Sequence, residues 1–95
     1  MKKYKINKHE YTLKEDYKNG FDLDAVTTKF TDYFDNYDYV IGDWSYGKLR
    51  LKGFCNKDNK IYKKYNDISI KDKYIKENCA YDCRYFVLER VKVKK

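Results

Sequence analysis

The chain has 95 residues, of which 39% are charged, and its formal net charge is +7. A chain of this length folds as one domain with a modest core, so we treat residues 1–95 as a single unit whose Lys-rich end, residues 92–95, frays. No apolar run is long enough to cross a bilayer, and the basic start lacks the apolar segment of a signal peptide, which predicts a cytoplasmic protein without a membrane partner.

Charge and aromatic residues are distributed unevenly along the chain. Twelve tyrosines supply much of the hydrophobic fraction, so we expect many rings at the boundary of the core with their hydroxyl groups in water. Residues 21–43 hold six Asp and one Lys, whereas residues 44–64 hold seven Lys or Arg and one Asp. Such a basic protein with a dipolar pattern can bind a polyanion, or its charges can simply keep a small domain dissolved.

The first third of the chain predicts a strand followed by a helix. Residues 3–17 alternate loosely between apolar and polar, as a strand does, and could form a hairpin that turns at Asn7-Lys8-His9. Asn19-Gly20 indicates a turn, and Asp22 is a suitable N-cap. The apolar residues that follow recur at spacings of three and four and predict an amphipathic helix that ends near Asp35-Asn36; they are Val26, Phe30, Tyr33, Phe34 and Tyr37.

The stretch YDYVIGDWSYGKLRLKGF, residues 37–54, predicts a tight hairpin with the two-residue loop Tyr46-Gly47. This loop fixes the pairing of the strands: Trp44 with Leu49, Gly42 with Leu51 and Val40 with Gly53 on one face, and Asp43 with Arg50 and Ile41 with Lys52 on the other. We therefore expect one face to form the core through Val40, Trp44, Leu49 and Leu51, and the other to point Lys48, Arg50 and Lys52 outward. The glycines leave a thin spot where a helix could pack.

The last third predicts a loop, a second helix and a strand. Residues 55–66 are polar, and a short extended piece at residues 60–65 is an option. Asp67 or Ser69 can cap a helix that runs to about Asn78 and buries Ile70, Tyr74 and Ile75. Residues 84–93 begin with a continuous apolar run, which is typical of a central strand covered on both faces. The order β(β)αββαβ predicts an α+β fold; we prefer the ferredoxin-like split βαβ sheet, with a different α+β sheet as the alternative.

Three motifs stand out along the chain: NGF at residues 19–21, the hairpin stretch at residues 37–54 and CAYDCRYFVLERV at residues 79–91. Together they resemble the YutD-like family of small bacterial proteins. The resemblance covers about Tyr11–Val91, and its most specific part is GDW-x-YG-x-LRLKGF. It implies a compact cytosolic α+β domain, and it brings no catalytic residue, cofactor or ligand over to this chain.

The sequence offers little for catalysis. His9 is the only histidine and lies in a predicted turn, with no nucleophile that points to it. Asp43 beside Trp44 is the best candidate for a perturbed acid, but we expect it to form a cross-strand pair with Arg50. The glycines do not form a phosphate-binding loop. We therefore expect no enzyme, no catalytic residue and no cofactor.

The three cysteines do not predict a metal site. Cys55, Cys79 and Cys83, with His9, match no common zinc spacing. An odd number of cysteines without framework spacing also favours a reducing compartment. We expect buried thiols, with a bond between Cys79 and Cys83 as the alternative if they flank a loop.

Two binding hypotheses remain. The first is contact with RNA or a ribonucleoprotein through the basic hairpin face and the loop after it, where cations would bind phosphates and tyrosine would stack on bases; the residues are Tyr46, Lys48, Arg50, Lys52, Lys60, Lys63 and Lys64. Lys52-Gly53-Phe54 matches only the first three positions of the ribonucleoprotein signature. The alternative is a protein–protein interaction adaptor that uses exposed tyrosines and the acidic helix at residues 22–38. The oligomeric state stays open.

Overall fold

A computed structural model describes residues 2–78 and 83–91. They form, in order, β1 (Lys3–Ile6), β2 (His9–Tyr17), α1 (Leu23–Lys29), β3 (Tyr39–Ser45), β4 (Lys48–Phe54), α2 (Lys71–Asn78) and β5 (Tyr85–Arg90). The strands make one sheet in the order β1-β2-β5-β3-β4, and every pairing is antiparallel. The α+β class and the predicted order of elements are confirmed, while the predicted fraying at residues 92–95 lies outside the described residues.

The sheet does not have the preferred ferredoxin-like order. In that arrangement the first and third strands of the βαββαβ unit, here β2 and β4, would lie at the centre, and β5 would lie beside β2 at the outside of that unit. Instead β5 lies between β2 and β3, and β4 is an edge strand. The reason is the apolar run in β5: Phe86, Val87 and Leu88 alternate between the two faces and are each at most 2% exposed. A strand that is apolar on both faces needs neighbours and cover on both sides.

The two helices cover opposite faces of the sheet. On the α1 face, Val26 and Phe30 pack in one cluster with Val40, Phe86 and Leu88. On the α2 face, the second cluster contains Ile41, Phe54 and Val87, with the helix-side residues Ile68, Ile70, Tyr74 and Ile75 packed against it. The face that carries Lys48, Arg50 and Lys52 is therefore not the open platform of a ferredoxin-like sheet, because α2 and the turn before it cover part of it.

The N-terminal hairpin forms where the sequence predicts a turn. Asn7 and Lys8 both have positive φ values, 49° and 77°, which match the right-handed twist of the two strands. A bulge between Leu13 and Glu15 then changes the pairing of β2 with β5. After the bulge Glu15 pairs with Val87, which faces α2, and the Glu15 carboxylate binds the amino group of Lys71. The bulge thus anchors the start of α2 to the sheet.

The first helix is shorter than the sequence predicts. Asp22 caps it as expected, because its Oδ1 accepts the N–H of Ala25 at 3.2 Å. The helix ends at Lys29, and Phe30 is extended with a ψ of 135°. Thr31 then caps a separate 3-10 turn, Asp32–Phe34, through its hydroxyl oxygen. A threonine hydroxyl that binds nearby backbone competes with helix propagation, which explains the break.

The β3–β4 hairpin has the predicted register in all five pairs. Tyr46 and Gly47 form its two-residue loop with φ values of 54° and 75°. The thin spots at the glycines are filled by aromatic rings rather than by a helix. The ring of Phe86 lies against Gly42, and the ring of Tyr37 lies against Gly53.

The four residues expected in the hairpin core differ in burial. Val40 and Leu49 are buried, whereas Trp44 and Leu51 are partly buried and pack against the α1-face cluster. Trp44 is a boundary residue because its Nε1 donates a hydrogen bond of 2.7 Å to the carbonyl of Gly20. The guanidinium group of Arg84 lies 4.7 Å from the centre of the Trp44 ring.

The segment between β4 and α2 is not extended. Residues 60–65 include turns and the start of a 3-10 turn, Lys64–Asn66, so the optional extended piece is wrong. Asp67 caps the next 3-10 turn, Ile68–Ile70, by accepting the N–H of Ser69 at 2.8 Å. The second helix therefore begins at Lys71, about one turn later than the cap at Asp67 implied. Within the described ranges, no helix is long and apolar enough to cross a membrane.

Substitution of Gly42 by Ala should destabilise the domain. A Cβ at position 42 would lie 2.1 Å from Cζ of Phe86, a ring that is fully buried and cannot swing into solvent. We expect Gly42→Ala to lower the free energy of unfolding by about 1–3 kcal/mol, measured by urea denaturation. In a Phe86→Leu background, which makes room for the methyl group, the same change should cost less. Additive costs in the double variant would contradict this packing.

Candidate functional site

Strand β4 is one of the two edges of the sheet. In an antiparallel pair, every second residue turns its N–H and C=O groups away from the partner strand. Cys55, directly after β4, uses its outward groups to bond the carbonyl of Asn66 at 2.7 Å and the N–H of Ile68 at 3.0 Å. By alternation, the outward-facing groups of β4 belong to Leu49, Leu51 and Gly53. Within residues 2–78 and 83–91, these groups have no main-chain partner.

A groove with tyrosine walls surrounds this edge. It has a volume of about 380 Å³ and is lined along β4 by residues 50–53. Tyr33 and Tyr37 line it on the side of the α1 face, and Tyr65 and Tyr74 line it on the side of the α2 face. Tyr33 and Tyr65 are 66% and 67% exposed, so each presents a large ring to solvent beside the edge. We call Leu49–Gly53 and these four tyrosines the β4 edge surface.

The pair of tyrosines on the α1 side is held by a hydrogen bond. The hydroxyl groups of Tyr33 and Tyr37 are 3.1 Å apart, and their rings are 5.5 Å apart at the centroids. This bond, with some burial, raises the pKa of Tyr37 to about 12. The Tyr37 hydroxyl therefore stays protonated well above neutral pH, in the groove that it lines with Tyr33. Sequence reasoning missed this pair because the spacing placed both rings on the apolar stripe of one long helix.

Arg50 is committed to the fold. Its Nε donates to Oδ1 of Asp43 at 2.9 Å, and its Nη2 donates to the carbonyl of Asn78 at 2.6 Å. The bond to Asp43 raises the pKa of Arg50, and the hydroxyl of Ser45 also donates to Asp43 at 3.3 Å. The predicted cross-strand pair is confirmed. It leaves Arg50 with less capacity to bind an external phosphate.

The other hairpin residues differ in how freely their side chains could contact a ligand. The ammonium group of Lys52 lies 5.5 Å from the ring centres of Phe54 and Tyr65 and 5.8 Å from that of Tyr74. Such cation–π contacts hold the side chain on the α2 side of the edge. Tyr46 is 97% exposed at the hairpin tip, and Lys48 is exposed beside it. Together with Arg50 they line a second groove of about 590 Å³, which also contains Lys29 and Glu77.

The loop lysines are only partly brought to this site. Lys64 lines a third groove, of about 540 Å³, with Lys52, Lys73 and Tyr65. Lys60 and Lys63 are exposed but line none of these three grooves. The structure therefore groups Tyr46, Lys48 and Arg50 at one end of β4 and Lys52 and Lys64 at the other. Lys73 was missed because it belongs to the following helix.

Among the described residues, the histidine and the cysteines lie apart from one another in separate local contacts. His9 lies 3.5 Å from the carboxylate of Asp35 in an ion-pair geometry. Cys55 is a buried free thiol whose pKa is raised by burial, and Cys83 is disulfide-bonded. Cys79, the other member of the pair considered from the sequence, lies outside the described residues. In the part of the chain that the structure describes, no three metal-ligating side chains cluster.

Removal of the Arg50 side chain should reduce stability. Arg50→Ala leaves the buried carboxylate of Asp43 with only Ser45 among the side-chain donors found here. Because Arg50 is half-exposed, we expect a loss of about 1–3 kcal/mol in the free energy of unfolding, measured by thermal and urea denaturation. Lys48→Ala, two residues away and exposed, is the matched control and should change stability by less than about 0.5 kcal/mol. Equal effects would mean that Arg50 has no structural role.

The Tyr33–Tyr37 hydrogen bond should be visible in a titration. In the folded state the pKa of Tyr37 is about 12, above its ordinary value of 10.0. The contribution of the Tyr37 hydroxyl to folding stability is therefore fully present below pH 10, and it is lost as the pH rises toward 12. Tyr33→Phe should move the pKa of Tyr37 back toward 10, measured from its ring signals by NMR. The hydroxyl of Tyr62 bonds Asp67 instead, so Tyr62→Phe is the control and should leave the pKa of Tyr37 unchanged.

Comparisons with known proteins give the family. A sequence model of the family described as "Putative antitoxin YutD-like" matches residues 5–89. The protein named "Putative antitoxin YutD" from Bacillus subtilis (strain 168) is 41% identical over 87 residues, which cover 92% of this chain and 96% of that protein. The solution NMR structure of protein yutD from B. subtilis superposes with a TM-score of 0.81 at 38% identity, over 100% of this chain and 86% of that one. The chain therefore belongs to the YutD-like family.

Proposed function

We propose that this chain is a non-enzymatic protein-binding domain and that its partner contacts the β4 edge surface. One observation carries the proposal: among the described residues, the outward main-chain groups of Leu51 and Gly53 have no main-chain partner, and both residues line a groove that the exposed rings of Tyr33 and Tyr65 also line. An exposed strand edge tends to pair with other chains unless something covers it. Tyrosine is enriched at protein interfaces because its ring buries a large area while its hydroxyl bonds the partner.

The name of the family supports binding as the activity. The family description and the B. subtilis relative both carry the word antitoxin. An antitoxin neutralises a toxin, and a small protein without a catalytic constellation can do so by binding its target. For this chain, a protein target fits the tyrosine-lined edge.

Contact with RNA is the second candidate. It rests on the groove in which Lys52, Lys64 and Lys73 surround Tyr65, since lysines bind phosphates and an exposed ring can stack on a base. It is weaker than the first candidate because Arg50 binds Asp43, so the bidentate contact that an arginine could make with a phosphate is already used within the domain.

The acidic segment is a poor candidate for the contact. It is divided into α1 and a 3-10 turn, so it presents no continuous acidic helix. Its last carboxylate, Asp38, is buried and accepts hydrogen bonds from Asn56 and Asn59. The adaptor surface proposed here therefore uses the tyrosines without that helix.

A crosslinked pull-down from the lysate of the bacterium that encodes the chain tests the proposal. The bait is compared with a Tyr33→Ser/Tyr65→Ser variant and with Tyr17→Ser, a change at a 40%-exposed tyrosine on β2. We expect a protein that remains bound after RNase treatment. Truncation of two interface tyrosines should weaken its binding by at least about tenfold, while the Tyr17 variant retains it.

Two results would contradict the proposal. A partner lost on RNase treatment would favour RNA contact through the lysine groove. A protein retained equally by all three baits would place the interface elsewhere on the domain. Thermal melts of the variants establish that each bait is folded before the capture is compared.

A further inference from the structure

We infer that the partner contributes an extended segment that pairs with β4 as a sixth strand of the sheet, and that this segment alternates acidic and apolar side chains. The inference rests on the proposed function and specifies the mode of binding and the chemistry of the bound segment. Strand addition to a sheet edge derives affinity from main-chain hydrogen bonds and specificity from side chains on alternate positions.

The main chain of β4 is already competent to pair on this side. At Cys55 the chain pairs with its own residues Asn66–Ile68, through one N–H and one C=O group on the outer side of the strand. Among the described residues, this self-pairing extends no further along β4. Three more residues, Leu49, Leu51 and Gly53, repeat the same outward pattern toward the hairpin tip. A strand of about five residues would bond all three and begin where the chain's own cover ends.

The α2 side of this edge selects acidic side chains. Lys48, Arg50 and Lys52 occupy successive positions of β4 on that face, with Lys64 and Lys73 next to Lys52. Because Arg50 is paired with Asp43, the lysines of this row supply the charge that is available to a partner. Glu77 is the acidic residue that lines the grooves on this side. Among the described residues, no carboxylate forms an ion pair with Lys48 or Lys52. Acidic residues at alternate positions of an added strand would lie beside this row of cations.

The α1 side of the edge selects apolar side chains. Leu49 and Leu51 point to that face, and the ring of Tyr37 covers Gly53 there. The partner residues between the acidic ones would extend this apolar row. The tyrosine walls on both faces would flank the added strand, which explains why exposed rings lie beside an edge instead of in the core.

A second copy of this chain does not fit the edge. Antiparallel pairing of two β4 strands would bring Lys48, Arg50 and Lys52 of one copy against the same cations of the other on one face. Like charges directly opposite each other destabilise a strand pair. The row of cations therefore opposes self-association and favours a strand of opposite charge.

The test uses a synthetic peptide with capped ends and alternating Glu and Val, flanked by Thr. A peptide of the same composition with its Glu and Val in separate blocks is the matched control. We expect the alternating peptide to bind, measured by calorimetry, and the block peptide to bind at least about tenfold more weakly. Amide exchange measured by NMR should slow at Leu49, Leu51 and Gly53, whose N–H groups point outward, and change little at Lys52.

Two methylated peptides test the main-chain pairing without altering the protein. One carries N-methyl groups on the Val residues, whose N–H groups would face β4 in antiparallel pairing, and the other carries them on the Glu residues, which would face β4 in parallel pairing. Strand addition predicts that one set weakens binding by at least about tenfold while the other has little effect. Equal effects of both sets, or none from either, would overturn strand addition and indicate attraction by charge alone.

Protein variants confirm the location. The double change Lys48→Glu/Lys52→Glu should weaken binding of the alternating peptide by at least about tenfold. The double change Lys3→Glu/Lys5→Glu, on the opposite edge strand β1, should leave that binding unchanged. If no peptide binds but Tyr33→Ser/Tyr65→Ser still releases the captured protein, the β4 edge surface is the interface and strand addition is wrong. If the peptide is displaced by a single-stranded oligoribonucleotide and no protein is captured, both proposals fail.

Discussion

The burial of β5 on both faces is the constraint on which the rest of the architecture depends. Phe86 and Leu88 contact the α1 cluster while Val87 contacts the α2 cluster, so the strand must lie inside the sheet with a helix layer on either side. Insertion of β5 between β2 and β3 moves β4 to the edge. The outer side of β4, a strand with three basic residues, is therefore left without a neighbouring strand in the part of the chain that the structure describes. The candidate site is a consequence of how the core is filled.

The pair of Asp43 and Arg50 places a polar contact at the end of this hairpin. A buried carboxylate is costly unless it is fully hydrogen-bonded, and here Arg50 and Ser45 both donate to it. The second bond of Arg50, to the carbonyl of Asn78, connects the hairpin to the last residue of α2. The cation that sequence reasoning assigned to a nucleic-acid surface thus has a structural partner on each side. This leaves the lysines and tyrosines around β4 as the groups available to a ligand.

Turn residues and strand alternation were sufficient to predict the hairpins. The order of the strands in the sheet was predicted incorrectly, because it depends on contacts between distant parts of the chain. A two-residue loop at Tyr46-Gly47 determines every pair of the β3–β4 register, so the sequence alone was sufficient there. The break after Lys29 depends on one hydroxyl group at Thr31, and the apolar spacing continues through it, so periodicity could not reveal it. The run at the start of β5 did indicate a central strand, which is incompatible with the preferred ferredoxin-like order. The tyrosine walls of the groove come from three segments, one that holds Tyr33 and Tyr37 and two that hold Tyr65 and Tyr74, and only the tertiary structure brings them together.

The two edges of the sheet are protected in different ways, and the difference bears on function. β1 is a strand of four residues, and its exposed Lys3 and Lys5 discourage pairing along a short edge. β4 has seven residues, and among residues 2–78 and 83–91 the chain pairs along its outer side only just after its end, at Cys55. Beyond that point the protection is electrostatic, through Lys48, Arg50 and Lys52. Charge of one sign repels a like-charged strand but attracts an acidic one, so the same row of residues can prevent self-association and select a partner. Charged side chains prevent self-association of the β4 edge without burying its main-chain groups. The backbone of this longer edge therefore remains available to bind a partner.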